Sequence, residues 1–124
     1  MAAAKEKTIT LLGTATSVSL STGNTTIFTV PTGKVSRVTH VCFRDVVGTM
    51  NGTGSVHITG WRQTIVLPVI AAGTGYAFVY GAETAGVTAS YTEQAAATAI
   101  QVLVNATCGT TITATVDIFG YLSN

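Results

Sequence analysis

Thr110-Thr111-Ile112-Thr113-Ala114-Thr115-Val116-Asp117-Ile118-Phe119 alternates residue by residue. Ile112, Ala114, Val116 and Ile118 fall on one side of an extended chain. Thr111, Thr113, Thr115 and Asp117 fall on the other. Successive side chains of a strand point to opposite faces, so this stretch reads as a β-strand with an apolar side turned inward and a polar side turned outward. A helix would scatter the same residues around its circumference.

The same vocabulary recurs in both directions from this stretch. Thr8 to Leu12 and Thr14 to Leu20 are rich in Thr, Ser, Val and Leu, and Ser21-Thr22-Gly23-Asn24 reads as a turn. Thr25 to Val30 is a strand that stops at Pro31, which has no N–H to donate to a ladder. Pro31-Thr32-Gly33-Lys34 places Pro and Gly where a tight turn needs them. Val35 to Val47 is the longest strand candidate. Strict alternation puts Val35, Arg37, Thr39, Val41 and Phe43 on one face, and Ser36, Val38, His40, Cys42 and Arg44 on the other. Gly48 to Gly54 is a loop of turn formers. Val56 to Trp61, Thr64 to Ile70, Tyr76 to Tyr80, Val87 to Tyr91 and Ala99 to Val104 complete the series. Thr92 to Ala99 alone has helical composition, and it is too short to stand as a helix. About eight to ten short strands with Gly-rich turns predict an all-β fold: a single-domain antiparallel β-sandwich or jelly-roll-like barrel over residues 8–124. Residues 1–7 are polar and read as a flexible N-terminal arm. No internal repeat of propeller or β-helix length aligns.

Composition narrows the function. The chain has 124 residues, with 6 basic and 5 acidic side chains, 9% charged against 47% hydrophobic. A typical soluble protein carries about 25% charge. Thr, about one residue in five, supplies part of the missing polarity, because it favours strands and presents a hydroxyl to water. Burial between subunits accounts for the rest, since permanent interfaces are apolar and poor in charge. A homo-oligomer or a subunit of a larger assembly is therefore expected. A net charge of +1 gives no electrostatic footprint for nucleic acid or an acidic membrane. No apolar run approaches the ~20 residues of a membrane helix. Met1 to Lys7 has no apolar segment of signal-peptide type, which points to cytosolic synthesis, with Cys42 and Cys108 as buried, reduced thiols.

Catalysis finds little support. Glu6, Asp45, Glu83, Glu93 and Asp117 are the only carboxylates, and no GxSxG, HExxH or paired glycosidase context surrounds them. His40 and Cys42, two apart on one strand, could face one metal, but a site needs more convergent ligands. The loop from Gly48 to Gly54 lacks the Lys-Ser/Thr pair and following helix of a phosphate cradle. No enzyme and no cofactor are expected. The best small-ligand reading is a sugar platform at Trp61, Arg62 and Tyr76, because flat amphipathic rings stack on sugars. The opposing reading has Trp61 closing one end of the core.

Two stretches carry a resemblance. Phe28-Thr29-Val30-Pro31-Thr32-Gly33-Lys34, followed by Arg37-Val38-Thr39-His40-Val41, is one. The closing Thr113-Ala114-Thr115-Val116-Asp117-Ile118-Phe119-Gly120-Tyr121-Leu122 is the other. Together they resemble small β-sandwich virion proteins of tailed bacteriophages. The resemblance covers about a quarter of the chain. It implies a non-enzymatic role in the virion, as a capsid decoration (cement) protein or a head or tail accessory, often trimeric, and it implies no catalytic residues. The expected partners are other copies of the chain and the major capsid protein. Lys5, Glu6 and Lys7 of the arm, with Met50 and Asn51 of the loop, are the candidates for capsid contact. The alternatives are a receptor- or glycan-binding module of a tail or surface fibre, resting on Trp61, Arg62 and Tyr76, and a minor neck or tail subunit.

Overall fold

A computed structural model describes residues 9–61, 64–71, 73–79 and 94–124. Eight strands run through them: β1 (Thr10–Ser19), β2 (Asn24–Thr29), β3 (Val35–Val47), β4 (Ser55–Ile58), β5 (Thr64–Val66), β6 (Gly75–Val79), β7 (Ala99–Ala106) and β8 (Thr113–Ser123). They form two four-stranded sheets, ordered β1-β8-β3-β6 and β2-β7-β4-β5. Every ladder is antiparallel. The pairings β1 with β8, β2 with β7, β3 with β6 and β4 with β5 are those of one long antiparallel ribbon, doubled back at β4–β5 and wound so that its pairs fall alternately in the two sheets. That is the jelly-roll winding of the β-sandwich. The expected strand over Val87 to Tyr91, the arm at 1–7 and the first two residues of the stretch with helical composition lie outside the described residues. Of that last stretch, Gln94 bridges Ser36, and a turn leads from it into β7.

One aliphatic core lies between the sheets. Val38, Val41, Phe43, Val116 and Ile118 of the first sheet meet Val56, Ile58, Ile100 and Val102 of the second. Ile112, Ala114, Val116 and Ile118 are all buried, as their alternation predicts. Thr115 and Asp117 occupy the opposite face, but they are only 7% and 8% exposed, since β8 is flanked by β1 and β3 and their side chains close over it.

Strict alternation fails in β3, and the register explains why. A shift between Val38 and His40 inserts one extra residue, and a second shift lies between Arg44 and Val47. Each bulge reverses which side chains face the core. Ser36 and Val38 point inward before the first bulge, and Val41 and Phe43 after it. His40, Cys42 and Arg44 therefore share the outer face. Asp45, at φ 53°, supplies the left-handed residue of the second bulge. Beyond it Val46 returns to the core and Val47 is exposed.

Other boundaries moved for local reasons. The two strands expected before Leu20 are one, β1, with irregularities at Leu11/Gly13 and Ala15/Val18. Ser17, at φ 53°, lies in the second. Gly13 lets β1 cross the edge of β2, because a Cβ there would lie 2.8 Å from the Ile27 carbonyl oxygen. The strand expected over Thr64 to Ile70 ends at Val66. Pro68 cannot donate to a ladder, and Leu67 and Ile70 fill the core from irregular backbone instead.

Candidate functional site

The outer face of the first sheet is the surface on which polar and apolar groups converge. Residues directly opposite in adjacent strands share a face. Leu11, Phe119, His40 and Val79 form one row across β1, β8, β3 and β6, and Thr14, Asp117, Cys42 and Ala77 form the next. Leu11 and Val79 are 54% and 62% exposed, and Ile9 beside them is 50% exposed. An apolar groove of about 290 Å³ runs over Ile9, His40, Cys42, Ala77 and Phe119. A second, of about 320 Å³, adjoins it through Ile9 and His40 and reaches Arg37, Val79 and Tyr121.

A polar network bounds the grooves. The Arg44 guanidinium donates to Asp117 from Nε at 2.8 Å and to Asp45 from Nη1 at 3.0 Å. The Thr14 hydroxyl donates to the same Asp117 carboxylate at 2.7 Å. Arg44 holds the Asp117 carboxyl below its ordinary range, with Thr14 assisting and burial opposing. At the other end of β3, the Arg37 guanidinium lies 5.6 Å from the centre of the Tyr121 ring, a cation–π distance.

This arrangement does not make a nucleophile. Burial, and then the Asp117 charge, push the Cys42 thiol up from its ordinary value, although Arg44 pulls the other way. Burial also raises Cys108. A thiol held protonated is a poor nucleophile and a poor metal ligand. Both cysteines are free. Cys108 is buried in the core, whereas Cys42 is only half-buried, on the outer face, a correction to the expectation that both would be buried. His40 and Cys42 do share a face, and Asp117 lies beside Cys42, but its carboxylate is taken up by Arg44 and Thr14. Among the described residues no three His, Cys, Asp or Glu side chains converge on a metal position.

The residues singled out from sequence are dispersed. Met50 is 5% exposed and accepts from the Ile70 N–H through its sulfur. It is a core residue, which corrects its reading as a contact residue. Asn51 is exposed but employed. Its side-chain carbonyl accepts from the N–H groups of Thr53 and Gly54, and its amide donates to the Thr107 carbonyl. It thereby ties the 48–54 loop to the turn after β7. Gly54 sits directly against Cys108, where a Cβ would lie 2.4 Å from the sulfur.

Trp61 is 5% exposed, and its indole N–H donates to the Val38 carbonyl at 2.9 Å. It bridges the end of β4 to β3 and closes the core. It offers no platform, which corrects the sugar-binding reading at this residue. Tyr76, 45% exposed, stacks on Phe78 of its own strand at 4.9 Å. Lys5, Glu6, Lys7 and Arg62 lie outside the described residues. Inter-strand pairing among Arg37, Arg44, Asp45 and Asp117 is legible from their charges in the sequence, and Arg44 does pair with Asp117 and Asp45; sequence reading missed the part of Thr14 in this network and the outer groove. Both depend on the bulge that turns His40, Cys42 and Arg44 outward. A comparison of the chain with protein-family models, curated proteins and solved structures finds no match.

Proposed function

We propose that this chain is a non-enzymatic structural subunit of a phage particle, and within that class a capsid decoration protein that binds the head shell as a homotrimer. The observation that supports this most is the outer face of the first sheet. A sandwich with so few charges exposes Ile9, Leu11 and Val79 together on it. Contiguous apolar surface of this kind marks a protein–protein contact. Jelly rolls recur in viral capsid proteins, which adds an analogy of fold and no more. Residues 1–7 and the Asn51-braced loop are the proposed shell contacts, without Met50.

The test is the copy number of the chain relative to the major shell protein in purified particles. A ratio near one is expected. A few copies per particle would place the chain in a neck or tail instead, and its absence from particles would end the virion reading. Deleting residues 1–7 should lower shell occupancy at an unchanged melting temperature. Full occupancy after the deletion would remove the arm from the mechanism.

A further inference from the structure

We infer that Asn51 is a site of spontaneous deamidation, at which the Gly52 backbone nitrogen displaces the side-chain ammonia and the product unties the 48–54 loop from the turn after β7. The sequence supplies the pair. Of the four asparagines, at 24, 51, 105 and 124, only Asn51 precedes a glycine. A glycine puts no Cβ in the path of its own nitrogen. The structure supplies the rest. Asn51 is exposed and Gly52 half-buried, so water and hydroxide reach the pair. The Gly52 N–H makes no hydrogen bond among the described residues. The Asn51 side-chain oxygen reaches forward past it, to accept from the N–H groups of Thr53 at 2.8 Å and Gly54 at 3.1 Å. That folds the carboxamide over the Gly52 nitrogen, the approach that ring closure needs.

Hydroxide takes the Gly52 amide proton. The nitrogen then forms a bond to Asn51 Cγ, and negative charge collects on Oδ1. Two backbone N–H groups already donate to that oxygen, as oxyanion donors do. The Cγ–Nδ2 bond breaks, and the amide leaves as ammonia with a proton from water, which returns the hydroxide. A five-membered succinimide remains. Water opens it at either carbonyl, giving aspartate or isoaspartate. No oxidant, reductant or cofactor enters. In the native chain Nδ2 donates to the Thr107 carbonyl at 2.9 Å. A carboxylate has no proton to donate there and sets oxygen against oxygen. The backbone N–H of Asn51 donates to the neighbouring Cys108 carbonyl, so this second tie loses the support of the first.

The inference does not depend on the virion reading, so either can fail alone. The test holds the purified full chain at mildly alkaline pH and body temperature, digests it with trypsin and weighs the peptides. Cleavage after Arg44 and Arg62 isolates a peptide in which Asn51 is the only carboxamide side chain. That peptide should exchange its amide for a carboxyl and become a substrate for an isoaspartate methyltransferase, while Asn24 and Asn105 keep their amides. The rate should rise with pH, because Gly52 must lose its amide proton. Gly52→Asp, which tolerates the left-handed backbone at φ +77°, should slow the conversion about ten-fold or more by adding a Cβ beside the nitrogen. The wild-type result needs no variant to fold. A folded chain that keeps its Asn51 amide while the urea-unfolded chain converts would overturn the inference, and so would equal conversion at Asn24 and Asn105. Amide hydrogen exchange at residue 51 should be about five-fold faster in the aged chain and in Asn51→Asp, the loss of one hydrogen bond. Unchanged exchange in both would overturn the untying of the loop.

Discussion

The two faces of the first sheet use the same strands for opposite purposes. On the inner face Val41, Phe43, Val116 and Ile118 are wholly buried and aliphatic or aromatic. On the outer face the same strands carry His40, Cys42, Arg44, Asp117 and Phe119. The inner face is complete within one chain. On the outer face Arg44, Asp117 and Thr14 satisfy one another, and the apolar groups Ile9, Leu11 and Val79 are left in water. The difference teaches that the fold and the proposed contact draw on separate residue sets, so each can be broken without the other.

The largest expected effects are on the inner side. Gly120→Ala should abolish folding or cost more than about 4 kcal/mol, because a Cβ there would lie 2.0 Å from the Arg37 carbonyl oxygen, a backbone atom of the neighbouring strand. Chemical denaturation checks it. Phe43→Ala should cost about 3–5 kcal/mol, since Phe43 is fully buried and meets Phe78 edge-on at 5.9 Å. Trp61→Ala should also destabilise, and native Trp61 fluorescence should be blue-shifted and resistant to quencher. Quenching as strong as that of free indole would reopen the platform reading.

Effects on the outer side should be smaller and of a different kind. Asp117→Asn should cost about 2 kcal/mol at neutral pH, measured as a shift in the denaturation midpoint. The sign of the pH dependence follows from the depressed pKa. The stabilisation is fully present above the ordinary carboxylate value of 3.8 and fades as pH falls through the lower folded-state value. The gap between wild type and Asp117→Asn should therefore close in strong acid. The smallest effect on stability is expected for Val79→Thr, within about 0.5 kcal/mol, although association should weaken. A large loss of stability there would mean that the outer face belongs to the core of one chain.

The division between the faces was only half legible in the sequence. Alternation from Ile112 to Ile118 identified the inward side of β8, and Pro and Gly punctuation located the turn at Pro31 to Lys34. The outer face was hidden because two bulges reverse the phase of β3, and periodicity carries no mark of a bulge. Thr115 and Asp117 read as solvent-facing because a single strand does not show how its neighbours cover it. Met50 read as a loop residue from its glycine-rich surroundings, but its side chain turns inward to meet the backbone of Ile70. Trp61 could be read as a platform or as a core plug until its indole was seen to reach Val38.

The central claim is that this ion-poor sandwich is completed by other protein surfaces. The mass of the purified chain by light scattering at micromolar concentration tests it most directly. A defined multiple of 12.7 kDa is the predicted result, and a stable species of that single mass at every concentration would contradict it.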